Sequence, residues 1–367
     1  MERKYDYLIV GAGLFGAVFA ERMTAAGKSC LVIDKRPHPG GNIFCENSEG
    51  IEIHKYGPHI FHTHDKGIWQ YINSFASFNR FTNSPLACYQ GQLYNLPFNM
   101  NTFNRLWNVA TPQEARLKME AQCAKYKSIV NPANLEEQAL KVCGDDIYYF
   151  FIKGYTEKQW GKTAIDLPPD IINRIPFRFV FDNNYYDDPY QGIPIGGYTP
   201  IINGMLKNSE VMLNSDYFGD RKTFDKIANR VVFTGCIDEF FDFCFGRLEY
   251  RSLRFDHKRI EIDNFQGNAV INYTEREIPY TRIIEHKHFY FGQQSFTIVT
   301  YEYPEDFSLF NEPFYPLNDA LNIKLYKLYK NYAAGFPKFL FGGRLGQYSY
   351  FDMDDTIKTA LFLASKE

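Results

Sequence analysis

A chain of 367 residues is too long for one small core, so two or three domains are expected. A formal charge of −3 and a pI near 6.3 provide no basic field, which argues against nucleic acid or an anionic membrane surface as a partner. Seven scattered cysteines without a CxxC spacing argue against a disulfide framework or a zinc site and favour a reducing, cytoplasmic setting. The polar opening MERKYDY is too brief a prelude for a signal sequence, and no run reaches the roughly 18 apolar residues of a membrane span.

In chain order, residues 5–10 read as a short buried strand, 14–26 as a helix and 29–34 as a second strand, which makes a β-turn-α-β unit. Thr111-Pro112-Gln113-Glu114 has a capping hydroxyl, proline at the first helical position and a carboxylate two residues on, so a helix should run from there to about Tyr126. Asn134-Leu135-Glu136-Glu137 repeats the device and opens a helix that Gly144 should end. A third helix is expected over about 146–153, followed by the segment GYTEKQWG. From Tyr185 the pattern turns to strands and turns, with RLEYRSLRFD, GNAVINYTE and FTIVTYEY suggesting an antiparallel sheet. Residues 230–235 and 338–343 return to buried α/β-type strands, the latter leading to a helix near 355–365. Such a chain leaves its nucleotide domain and comes back to it twice.

Gly11, Gly13 and Gly16 spell G-A-G-L-F-G between the first strand and the first helix, with Phe15 inside the motif. The first glycine permits the tight turn, the second lets a pyrophosphate approach backbone, and the third lets helix pack on strand. Asp34 ends the next strand, where a ribose-binding carboxylate belongs, with Lys35 beside it. NAD and FAD share this fingerprint. The Gly40-Gly41-Asn42 turn resembles the extended signature of FAD-binding oxidoreductase-like proteins, and Gly343-Arg344 leading to Asp352-Met353 resembles their last flavin segment. FAD is therefore the expected cofactor.

The blocks HKYGPHIFHT, FTNSPLA, FIKGYTEKQWGK, RIPFRFVFDNNYY, YQGIPIGGYT, FQGNAVINYT, PYTRIIEHKHF and GRLGQYSYFDMD are together similar to bacterial UDP-galactopyranose mutases, and the likeness runs from Tyr5 to the last helix. Cys236 stands where that pattern has proline, and Phe351 is a second local departure. The resemblance implies an α/β fold, a Rossmann-like FAD-binding domain with an inserted helical domain and an antiparallel β-sheet domain. The FAD domain would comprise 1–80 with about 205–245 and 335–367, the helical substrate domain about 98–180, and the sheet domain about 81–97, 181–204 and 246–334.

A sugar diphosphate carries two negative charges, and arginine is the side chain best shaped to grip them. Taken singly, Arg174, Arg251, Arg282 and Arg344 read as surface or sheet-edge residues. The resemblance makes Arg174 and Arg282 the pair that neutralises the diphosphate, with Arg251 a weaker candidate. Phe151, Tyr155 and Trp160, spaced by four and five, read as an ordinary core stripe until the resemblance assigns them, with Thr156, to the uridine. It adds Asn83, Tyr185, Asn272, Tyr315 and Tyr350 as substrate contacts and 161–173 as a closing loop. The histidines of 54–64 lack the carboxylate or cysteine partners of a metal site. The resemblance instead sets His59 and Ile60 beside the flavin, with His59 as a catalytic candidate.

What the resemblance implies chemically is an isomerase that interconverts UDP-galactopyranose and UDP-galactofuranose without net redox change, reduced flavin N5 forming a covalent adduct with the sugar. It also implies an unidentified reductant, a homodimer and a UDP-galactose substrate. Two rivals remain, an oxidase with net electron transfer and a non-catalytic flavoprotein that binds UDP-sugars.

Overall fold

The computed structural model describes residues 4–308 and 310–367, and the side chain of Arg174 lies outside the described residues. The chain divides into two compact units, one comprising Met1–Arg80, Asp188–Ser252 and Phe307–Glu367, the other Phe81–Asp187 and Leu253–Asp306.

The first unit is built on five parallel strands in the order Phe339–Phe341, Ala228–Phe233, Tyr5–Val10, Cys30–Ile33, Glu210–Met212. Side chains alternate between its faces, as strand geometry requires. Ile9, Val32 and Val232 pack on one face with the helices Leu14–Ala25, Thr199–Leu206 and Met353–Ala364. Leu8, Leu31, Ile33, Val231 and Phe233 pack on the other with Tyr217, Phe240 and Tyr329. Both faces are covered over the central strands, which is why Cys30–Ile33 and the ends of Tyr5–Val10 and Ala228–Phe233 read as apolar runs, whereas the edge strand Glu210–Met212 is exposed. Register aligns Val10 with Ile33 on one side and Phe233 on the other, so the carboxyl ends of the strands form one edge. From the first strand the chain proceeds to a neighbour on one side and later to a neighbour on the other, which creates the crevice where α/β sheets bind ligands.

The second unit joins helices to a six-stranded sheet in the order 253–260, Thr297–Asp306, Arg282–Glu285, Val270–Tyr273, Leu86–Tyr89, Gln92–Asn95. The sheet is not wholly antiparallel as expected. Val270–Tyr273 pairs antiparallel with Arg282–Glu285 but parallel with Leu86–Tyr89. Those two strands lie far apart in sequence, so no hairpin imposes an antiparallel sense.

Both predicted capping devices occur. Thr111 and Glu114 exchange the reciprocal bonds of a capping box on the helix Pro112–Cys123, and Asn134 caps Leu135–Ile147. Gly144, with φ 77° and ψ −177°, breaks that helix internally, but the chain resumes helical form at once. It continues through a π-helical turn, Tyr148–Ile152, into the helix Lys153–Trp160. The expected third helix thus reaches seven residues further, and GYTEKQW is its continuation. The reading of strands and turns between Tyr185 and the expected terminal helix is also corrected: Thr199–Leu206, Arg221–Ile227 and Ala320–Ala333 are helices. Ala320–Ala333 buries only Asn322 and Tyr329 fully, so it carries little of the apolar periodicity that reveals a helix.

The blocks 265–274 and 279–289 contain a knot of buried polar groups. Glu285, with no exposed surface, accepts the backbone N–H groups of Phe265 and Gln266 at 2.9 Å each and pairs with His288. Burial pushes its carboxyl up, but the bonds from His288, Phe265 and Gln266 outweigh this and hold it at about 2. Such a depressed carboxylate stabilises the fold above the unfolded-chain value near 4.3 and loses that contribution as pH falls toward 2. Glu285→Gln should therefore cost on the order of 2 kcal/mol in urea unfolding at pH 6. The gap from the unsubstituted protein should narrow below about pH 4.3, and a gap constant with pH would contradict this assignment.

Candidate functional site

A cavity of about 390 Å³ opens at the carboxyl ends of the parallel strands, within the range of about 300–1,000 Å³ usual for small-molecule sites. Gly11, Gly13 and Phe15 line it on one side, and Gly41, Asn42 and His59 on another. Asp34 and Lys35, with Gly343, Arg344 and Met353, complete the set of predicted residues that reach it. Gly16, Ile60 and Asp352 do not line the cavity.

Each glycine has a measurable reason. A Cβ on Gly16 would stand 2.0 Å from the Gly11 carbonyl oxygen and 3.0 Å from Ile9 Cγ2, so this residue seats the helix on the strand. A Cβ on Gly13 would meet nothing nearer than Gly41 Cα at 3.7 Å, so a side chain there has room in the protein but takes space at the cavity wall. Gly13 also bridges Gly40, and Gly40 and Gly41 have positive φ (98° and 53°), so the second glycine turn lies backbone to backbone against the first. A Cβ on Gly342 would fall 2.1 Å from the Phe15 ring, which explains the small residues at 342–343.

Asp34 orients the loop. Its Oδ2 accepts the Ala12 N–H at 2.8 Å and its Oδ1 the Arg36 N–H at 2.9 Å. Among the described residues no side chain caps the helix Leu14–Ala25, whose first residues Leu14 and Phe15 line the cavity. Its first-turn N–H groups and positive dipole end suit a pyrophosphate. A glycine cradle, a ribose-type carboxylate and an uncapped helix end together fit an FAD-type dinucleotide.

Several cavity features escaped the sequence reading. Arg36 donates from Nε to Glu312 at 2.9 Å and from Nη2 to Asn42 at 3.0 Å, and its guanidinium lies 4.3 Å from the Tyr56 ring centre. Glu312 also pairs with Lys35 at 3.5 Å, tying the wall segment around 310–314 to the ribose side. Only long-range contact reveals this, because 276 residues separate Arg36 from Glu312. Beside the cavity, His59 donates its N–H to His54 Nδ1 at 3.1 Å and bonds Gly57 oxygen through Nδ1 at 2.8 Å. Burial pulls His54 down to about 3, so it is neutral and keeps Nδ1 as an acceptor. Among the described residues no group of three or more His, Cys, Asp or Glu is placed to hold a metal ion.

Four further candidates of the first unit form a chain. Arg251, 4% exposed, faces Tyr315 across a two-strand pairing. Tyr315 meets Tyr350 edge to face at 6.0 Å, and Arg344 lies 4.9 Å from the Tyr350 ring centre. Arg251 is buried, so its bland reading as a surface arginine fails.

The second unit gathers the rest. Asn83 and Tyr185 are joined by a backbone bond of 2.8 Å. Phe151 is packed among Tyr94 and Phe98 at 4.9 and 5.4 Å, with Tyr155, Thr156 and Trp160 following on the helix Lys153–Trp160. Asn272 and Arg282 are direct cross-strand partners, so their side chains share a face. Among the described residues Asn272 Oδ1 is buried without a hydrogen-bond partner, and such an acceptor calls for a donor. Arg282 Nε lies 2.9 Å from Glu302 Oε1, an ion pair lacking linear hydrogen-bond geometry. Arg174 ends the short helix Pro169–Arg174, and its side chain is outside the described residues.

Two glycine substitutions separate folding from binding. Gly13→Val should leave the melting temperature nearly unchanged while abolishing retention of flavin, read from absorbance of the purified protein. Gly16→Ala should destabilise the first unit by about 1–3 kcal/mol through overpacking. Retention of flavin by Gly13→Val would remove the pyrophosphate assignment.

Comparison with known proteins agrees with this geometry. The family model for UDP-galactopyranose mutase matches residues 150–350, more than half of the chain, and that for an NAD(P)-binding Rossmann-like domain matches 9–75. The Klebsiella pneumoniae protein named "Probable UDP-galactopyranose mutase" is 37% identical over 367 residues, covering 98% of this chain and 94% of that one. The Escherichia coli dTDP-fucopyranose mutase is 36% identical over 363 residues, 96% of each chain. The crystal structure of a reduced UDP-galactopyranose mutase superposes with a TM-score of 0.78 at 16% identity, over 98% of this chain and 93% of its own. With a fold shared along the chain and a family match across both units, the protein belongs to the UDP-galactopyranose mutase family.

Proposed function

We propose that this protein is an isomerase interconverting UDP-galactopyranose and UDP-galactofuranose without net redox change. It would hold FAD in the first unit and the uridine diphosphate group in the second. The observation that carries the reading is the Asn272–Arg282 pair, a cation beside a buried acceptor that has no partner among the described residues, in the unit that bears the rings of Lys153–Trp160. The proposal extends to a cytoplasmic homodimer and an external reductant for the flavin, with the helical part of the second unit and the strand pair bearing Asn272 and Arg282 together serving the substrate.

Bound in reduced form, a flavin supplies an electron-rich nitrogen nucleophile that the oxidised form lacks. The remaining work belongs to side chains. Arg282, paired with Glu302, meets the diphosphate, stabilising it as it departs and keeping it near for recapture. Arg174 is assigned as the second arginine on the resemblance alone. Tyr155 stacks on uracil, with Thr156 and Trp160 lining the same place, and Asn272 Oδ1 accepts a hydroxyl or N–H of the nucleotide sugar. His59, held by His54 and Gly57, sets the polarity beside the flavin.

A second reading, with dTDP-fucopyranose as the sugar nucleotide, is favoured by the 36% identical relative of that name. Both are tested together. Protein reduced once with dithionite under anaerobic conditions is offered each pyranose and furanose pair, and products are separated by chromatography. Many turnovers per reduction and near silence of the oxidised protein are expected, and the preferred pair names the substrate. Consumption of one reducing equivalent per product would establish an oxidoreductase, and binding without conversion would establish a sensor. Arg282→Ala should cost about 2–5 kcal/mol of transition-state binding, orders of magnitude in turnover, with flavin still bound. Because it also strands the buried Glu302, Arg282→Lys serves as the companion, keeping the charge but losing the fork.

A further inference from the structure

We propose that Lys158 is a positioning residue that locks the ring-bearing helix Lys153–Trp160 to the strand pair bearing Asn272 and Arg282, so that the base and the diphosphate of one nucleotide are met in fixed register. The inference rests on the reading of the nucleotide site above and deepens it.

The Lys158 ammonium donates to three backbone carbonyls, Tyr273 at 2.7 Å, Ile278 at 3.0 Å and Tyr280 at 2.9 Å. An ammonium has three N–H bonds, so this tripod uses its full donor capacity. Tyr273 ends the strand Val270–Tyr273, and Ile278 and Tyr280 lie in its connection to the strand Arg282–Glu285. Tyr273 follows Asn272 directly, and Tyr280 is two residues short of Arg282. On the helix, Lys158 lies three residues after Tyr155 and two before Trp160. One side chain therefore links the two groups of nucleotide-binding candidates in this unit.

Three other contacts converge on the same connection. A Cβ on Gly154 would stand 2.5 Å from the Thr274 carbonyl oxygen and 3.0 Å from the Arg276 nitrogen, so the helix rests on the turn backbone to backbone. Thr274 Oγ1 donates to the Phe150 carbonyl at 2.7 Å, fixing the π-helical turn from which the helix emerges. Glu157 pairs with Arg276 at 3.2 Å and accepts the Ala164 N–H at 3.1 Å, tying the start of 161–173 to the helix. Burial pulls the Lys158 ammonium down to about 8 while Glu275 and Glu277 act in the opposite sense. A cation kept in such a place is costly unless its bonds are satisfied, and here what they hold is the relative placement of two binding elements.

The test measures UDP affinity of the flavin-loaded protein by calorimetry, alongside KM, kcat and melting temperature. Lys158→Met and Gly154→Ala, which disturb one junction from its two sides, should each weaken UDP binding about tenfold and raise KM likewise. In both, kcat at saturation and flavin content should stay near their original values, and the double substitution should fall short of additive. Lys287→Met is the comparison. Its ammonium also holds three carbonyls, those of Asp263, Gln294 and Phe296, but none in the 273–280 connection. It should lower the melting temperature and leave UDP affinity unchanged. Unchanged UDP affinity in folded Lys158→Met, or equal weakening by Lys287→Met, would overturn the proposal. Should Lys158→Met not fold, unchanged UDP affinity in Gly154→Ala would overturn it equally. UDP affinity is read without turnover, so a protein that binds UDP but converts no sugar nucleotide would refute the mutase reading and leave this inference standing.

Discussion

At the start of the first helix, the space a side chain would occupy on Gly16 is filled by the Gly11 carbonyl oxygen. That backbone-on-backbone seat brings the helix N-terminus onto the end of the first strand. The rest of the cavity is assembled around it. Gly13 lies against the turn at Gly40 and Gly41, Ala12 donates to Asp34, and Gly40 N–H bonds the Ala12 carbonyl at 2.8 Å. The aligned carboxyl ends of the parallel strands place these loops along one edge, where the first turn of the helix Leu14–Ala25 offers backbone N–H groups suited to an anionic ligand.

In the second unit, buried charges supplement the strand ladders. Lys158 collects three backbone carbonyls, two of them in the 274–281 connection, Lys287 collects three from residues outside the strands, and Glu285 collects two backbone N–H groups. A backbone group buried without a partner costs about as much as a lost hydrogen bond, and an ion with full hydrogen-bonding capacity satisfies several at once. Much of 265–289 is therefore architecture that holds the strand pair of Asn272 and Arg282.

The arginines illustrate how placement changes meaning. In sequence, Arg251 and Arg282 are equivalent cations on strands. In the structure Arg251 is 4% exposed in the first unit and faces Tyr315, while Arg282 stands beside Asn272 in the second and is held by a buried glutamate. Arg36, absent from the candidates that the sequence suggests, is bonded to both Asn42 and Glu312 at the cavity wall.

The sequence alone determined whatever depends on local backbone demands: the glycine turns with their following helix, the capped helices beginning at Pro112 and Leu135, and the buried strands of the parallel sheet. Each follows from steric or hydrogen-bond needs spanning a few residues, so a short window contains the whole cause. The tertiary structure decided what long-range pairing controls. It set the parallel junction between 86–89 and 270–273, the weakly amphipathic helix Ala320–Ala333, the continuation of helix through the π turn to Trp160, and the partners of Arg36, Lys158 and Arg282. Those outcomes depend on carbonyls, carboxylates and strand edges brought together from distant parts of the chain, and no local pattern of residues encodes which of them will meet.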